Sequence, residues 1–142
     1  MGAMKIPSAC LLLLLAGLLS VCATPMSSAV SEANKKMELK GSPFRYRAVD
    51  DSHMTLTLMA LPAGPTRAVP ALAQQAMDSI TQQENRKGRS VANLEEVRHL
   101  QDGREVWVLN SLGEGIAYIV AFQSPTQPGT DIRITGPTVY QK

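Results

Sequence analysis

Apolar residues in this chain change their spacing twice, and that change constrains the fold more than any other feature. In "FRYRAV" (44–49), Phe44, Tyr46 and Ala48 alternate with Arg45, Arg47 and Val49. In "HMTLTLMAL", Met54, Leu56 and Leu58 alternate with Thr55, Thr57 and Met59. A period of two predicts strands with one buried face. Asp50, Asp51 and Ser52 between them have the chemistry of a turn, so the two segments are expected to form an antiparallel hairpin.

After the proline-rich connector "PAGPTRAVP" the period lengthens. Val69, Leu72, Ala73, Ala76, Met77 and Ile80 recur at three- and four-residue steps, with Gln74, Gln75, Asp78, Ser79 and Gln82 between them. That pattern predicts one amphipathic helix starting near Pro70 and ending between Asn85 and Gly88. The positive group Arg86, Lys87 and Arg89 suits a helix C-terminus.

The period then returns to two. "SVANLEEVRHL" and "EVWVLNSL" flank "QDGRE", whose Asp-Gly pair is a strong hairpin signal. "GEG" reads as a tight turn. "IAYIVAF" is apolar enough for a central strand buried on both faces. "QSPTQPGT" reads as a loop, and "DIRITG" with "PTVYQK" as an edge strand that tolerates Pro137. The expected fold class is α+β, with one amphipathic helix packed on a twisted antiparallel sheet of about five to six strands. Sequential hairpins favour a meander. The helix stripe Val69/Leu72/Ala76/Ile80 is expected to cover alternate residues of "IAYIVAF" and "EVWVL".

The first 23 residues stand apart. Lys5 precedes an uncharged run from Ile6 to Val21 with "LLLLLAGLL" at its centre, and small residues follow. That is the layout of a secretory signal peptide, and the run is short for a membrane span. Val21-Cys22-Ala23 permits cleavage after Ala23. The alternative is cleavage before Cys22 with lipid attached to its thiol; Leu19, Ser20 and Cys22 resemble the bacterial lipoprotein box, with Val21 in place of its small residue. Residues 24–42 read as a flexible segment and 43–142 as a single domain.

Charge and cysteine content narrow the function classes. The chain carries 14 Lys and Arg against 12 Asp and Glu. Loss of Lys5 with the leader brings the remainder close to neutral, which argues against a general nucleic-acid binder. Both cysteines, Cys10 and Cys22, lie in the N-terminal region, so the domain is expected to stand on its core without disulfides. No cofactor is implied. His53 and His99 have no partner at metal-ligand spacing and read as surface strand residues. Asp50-Asp51 reads as turn chemistry, and Glu95 and Glu96, adjacent on a strand, are expected to point to opposite faces. No Ser elbow or Cys/His set suggests an enzyme.

The binding candidates are Arg45 and Arg47 on the outer hairpin face and Trp107, the single tryptophan. If Val106 and Val108 face the helix, Trp107 faces the uncovered side of the sheet and can anchor a partner. It can equally pack under the N-terminal segment. From Phe44 to Tyr140 the order strand–strand–helix–four strands resembles small bacterial envelope proteins of PsbP-like and cystatin-like architecture. The resemblance is one of element order and transfers no site residue. The expectation is a non-enzymatic secreted or periplasmic protein that binds another envelope or secreted protein, touching the membrane only if lipidated at Cys22. The alternatives are a small-ligand carrier or minor enzyme with a helix–sheet pocket, and a lipid-anchored assembly or spacer protein.

Overall fold

The computed structural model describes residues 25–90, 93–110, 114–123 and 131–142. The leader with Cys10 and Cys22, residues 91–92 of "SVANLEEVRHL", the first glycine of the "GEG" turn and most of "QSPTQPGT" lie outside the described residues. The element order is α1 (Met26–Leu39), β1 (Phe44–Ala48), β2 (Met54–Leu58), α2 (Pro70–Arg86), β3 (Leu94–His99), β4 (Glu105–Leu109), β5 (Gly115–Phe122) and β6 (Ile132–Tyr140). The class is α+β with antiparallel strands. The strands form two sheets, a β1–β2 pair and a β3–β4–β5–β6 meander, where one sheet of five to six strands was expected.

The β1–β2 hairpin pairs Phe44 with Leu58 and Ala48 with Met54. Its turn is organised by Asp50, whose Oδ1 accepts the backbone N–H groups of Ser52 and His53, each at 2.8 Å. Helix α2 begins at Pro70 and closes through Lys87 and Gly88, whose φ of 74° needs a residue without Cβ. Ala76, Ile80 and Glu84 are its buried positions, while Val69 lies just before the helix and stays 46 % exposed.

Both faces of the four-stranded sheet are covered. Ala76 and Ile80 of α2 pack on Val97, Trp107, Leu109, Ile116, Tyr118 and Val120. Phe44, Leu56 and Leu58 of the hairpin, with Met37 of α1, pack on Val106, Val108 and Ala117 from the other side. The hairpin is therefore a separate layer. This reverses the expected faces of β4: Trp107 lies under α2, and Val106 and Val108 lie under the hairpin. Side-chain size explains the reversal. The facing surface of α2 carries Ala73 and Ala76, leaving room that Trp107 and Tyr118 fill, cross-strand partners in the β4–β5 register. Opposite, the ring of Phe44 and that of Tyr140, 5.9 Å apart, leave space only for small side chains. "IAYIVAF" is the central strand it promised to be: Ile116, Ala117, Tyr118 and Val120 are buried from both sides.

The segment expected to be a flexible linker contains the 14-residue helix α1. It buries none of its residues fully; Met37 packs into the hairpin-side core, and one side chain bonds the helix to β1. Asn34 Nδ2 donates to the Tyr46 carbonyl at 2.9 Å, and its Oδ1 accepts the Tyr46 N–H at 2.6 Å. The amide thus pairs with β1 as a neighbouring strand would. The same small, polar residues that read as linker (Ser27, Ser28, Ser31) also permit a helix, whose stability comes from docking rather than propensity.

Candidate functional site

One end of the molecule carries a groove of about 650 Å³. Three short stretches enclose it: the turn before β1 (41–45), the stretch after β2 (59–62) and the β3–β4 turn (99–104). Met59, Leu61 and Leu100 form a half-buried apolar floor, and Arg45 and Arg104 stand on the rim. The stretch after β2 is held against the edge of β3. Ala63 bridges Arg98, the His99 N–H donates to the Pro62 carbonyl at 2.8 Å, and the Gly64 N–H donates to the Val97 carbonyl at 3.1 Å.

Both rim guanidinium groups are fastened to backbone carbonyls of a single turn. Arg45 Nη1 donates to the carbonyls of Ser42 at 2.6 Å and Phe44 at 2.7 Å. Arg104 Nη2 donates to the Gly41 carbonyl at 2.6 Å, and its Nε to Asp102 Oδ2 at 2.7 Å. Gly41 has a φ of 65°, and a Cβ there would stand 3.2 Å from Arg104 Nη2. Glycine suits the turn for both reasons. The Asp102 carboxyl is desolvated, which would raise its pKa, but the Arg104 N–H groups and charge hold it below the ordinary aspartate range.

Behind the groove lies a buried carboxylate that inspection of the sequence missed. Glu105 is fully buried and accepts three hydrogen bonds, from Thr66 Oγ1 at 2.7 Å, the Arg67 N–H at 2.7 Å and Trp107 Nε1 at 2.8 Å. It pins the connector to β4. His99, its cross-strand partner, places Nδ1 3.9 Å from Glu105 Oε1, and that nitrogen is buried with no hydrogen-bond partner among the described residues. His99 is therefore a wall of the groove and not a surface strand residue. Strand parity was the available signal, since Glu105 shares the face of Trp107.

A second buried carboxylate, Glu84, closes the α2 layer. Tyr118 Oη donates to it at 2.5 Å, as does Arg89 Nε at 2.5 Å. Burial alone would raise the Glu84 carboxyl, but the Arg89 guanidinium and the Tyr118 hydroxyl outweigh it and hold the group below the usual glutamate range. Burial and the adjacent carboxylate push the Tyr118 hydroxyl well above its ordinary value. Here the helical spacing carried the signal: Glu84 follows Ile80 by four and Ala76 by eight. The expected helix-end cluster divides accordingly, with Arg89 turned back onto Glu84 and Arg86 and Lys87 exposed.

The predicted binding residues separate. Arg45 joins the groove. Arg47 is exposed on the hairpin opposite Thr55, outside it. Trp107 is fully buried and offers no surface to a partner, because its ring fills the space beneath the alanine face of α2. Glu95 and Glu96 do border one depression, of about 260 Å³, because a bulge between Leu94 and Glu96 breaks the strand alternation. Each is matched by a cation, Glu95 by Lys142 at 2.9 Å and Glu96 by Arg98. His53 is an exposed turn residue beside Asp50. Among the described residues no group of three His, Cys, Asp or Glu side chains could hold a metal ion. Ile80, Trp107, Tyr118 and Val120 fill the centre of the layer between α2 and the sheet, and an open depression of about 310 Å³ lies at its edge between Leu72, Gln75 and Ser79 of α2 and Ile132 and Ile134 of β6. Comparison with protein-family models, with curated proteins and with solved structures finds no match.

Proposed function

We propose that this chain is an exported, non-enzymatic binding protein that docks a segment of another envelope or secreted protein in the groove between residues 41–45, 59–62 and 99–104. The groove's make-up carries the reading: an apolar floor of Met59, Leu61 and Leu100 beneath two anchored guanidinium groups. Its openness favours an extended segment over a small ligand, which an enclosing pocket would cover on most sides. Arginines held in place before binding lose little freedom when a partner arrives. Export rests on the N-terminal layout of Lys5, the Leu-rich run and the small residues through Ala23.

The test is copurification from the envelope of an exporting bacterial host, with the intact mass of the recovered chain giving its first residue. The expected soluble mass starts at Thr24. Ala60→Trp, which fills the exposed wall of the groove, is expected to abolish recovery of the partner, while Gln82→Trp on the outer face of α2 leaves it unchanged. A partner retained equally by both variants overturns the groove assignment, and a chain that keeps its first 23 residues overturns the export assignment.

A further inference from the structure

The charge around the groove specifies what the docked segment carries. Arg45 has no carboxylate within 4.0 Å among the described residues, and neither has Arg67. The Arg67 guanidinium lies against the β3–β4 turn, with Nη1 3.6 Å from where a Cβ on Gly103 would stand. Of the three guanidinium groups at this end of the molecule, Arg104 is paired with Asp102, while Arg45 and Arg67 keep no carboxylate partner and Glu105 lies buried behind the groove on neutral donors. The carbonyls of Ser42 and Phe44 orient Arg45 without neutralising it, whereas Arg104, held by the Gly41 carbonyl, is already paired with Asp102. A fixed guanidinium without a carboxylate partner, that of Arg45, above an apolar floor matches an apolar side chain next to a carboxylate.

We infer that the groove binds an extended peptide segment in which an aspartate or glutamate side chain, next to a leucine-like residue, is held by Arg45. The apolar neighbour lies on Met59, Leu61 and Leu100. The inference rests on the docking reading above and adds the chemistry of the partner. An arginine that only braced the turn before β1 would give no preference for a charged ligand, so the carboxylate preference is the quantity to measure.

The experiment is an amide-resolved NMR titration of the full chain with acetyl-Leu-Glu-Leu-amide, acetyl-Leu-Gln-Leu-amide and octanoate. The glutamate peptide is expected to shift the amides of residues 59–61 and 99–104 and to bind at least about tenfold tighter than the glutamine peptide, the scale of one charge-assisted hydrogen bond. Arg45→Gln is expected to bring that ratio towards one, and Arg47→Gln, outside the groove, to leave it unchanged; amides of residues 59–61 and 99–104 that keep their positions in the free Arg45→Gln protein show that the groove is still formed. Equal affinity of the two peptides overturns the carboxylate inference and leaves peptide docking standing. Tighter binding of octanoate than of the glutamate peptide overturns the peptide as the source of the carboxylate. Unmoved groove amides with both peptides at millimolar concentration overturn the inference and the docking reading together.

Discussion

Glu84 shows how this chain holds a charge inside its core by surrounding it with donors. Its oxygens meet Arg89 and Tyr118, so the ionised form is the one the folded state prefers. A carboxyl held below its ordinary range in the folded state takes up its proton earlier in the unfolded chain. Its contribution is therefore complete above the ordinary glutamate range of about 4.3 and is lost as pH falls through the lower folded value. Denaturant unfolding followed from neutral pH into acid should show that loss. Glu84→Gln should flatten the acid limb and lower stability at neutral pH by about 1–3 kcal/mol, the cost of breaking a buried hydrogen-bonded partner set. An unchanged acid limb would assign the acid sensitivity to other carboxylates. Glu105 differs, because its three donors are all neutral, and its place is to pin the connector that forms one wall of the groove.

Among the elements, α1 is fastened most lightly and explains most about what the sequence disclosed. The strands and α2 were legible because each carries its own period: Phe44/Tyr46, Met54/Leu56/Leu58, Ala76/Ile80. The covering of the sheet was not, because parity within β4 separates Trp107 from Val106 and Val108 without saying which set meets α2. That choice is made by the alanines of α2 and the aromatic rings of the hairpin layer, which are long-range partners. Helix α1 escaped notice because its hold on β1 is a single amide. Asn34→Ala removes both bonds to Tyr46 and should raise hydrogen exchange across residues 26–39 and at Tyr46 by about tenfold, the scale of one or two backbone-type hydrogen bonds, while β4 and β5 keep their protection. Unchanged exchange in α1 would mean that Met37 and its apolar contacts hold the helix without the amide.

At the scale of the molecule, three layers leave the ends of the sheet as the places where loops gather, and the groove forms at one of them. Only Arg45 of the groove was singled out in the sequence as a binding residue. Arg104, Met59 and Leu100 are ordinary residues until the connector folds back along β3 and the turn before β1 comes to meet the β3–β4 turn. Such a site has no linear motif to find. The proposed occupant of that groove is a segment of a partner protein. A photo-crosslinking residue placed at Gln101 on the groove rim, with a second at exposed Arg86 as control, tests it directly in an exporting host. One defined peptide adduct is expected at position 101, mapping to an apolar residue next to an acidic one, and none of that adduct at position 86. The same adducts from both positions, or none at position 101 from a chain that is folded and exported, would mean that no partner segment lies in the groove.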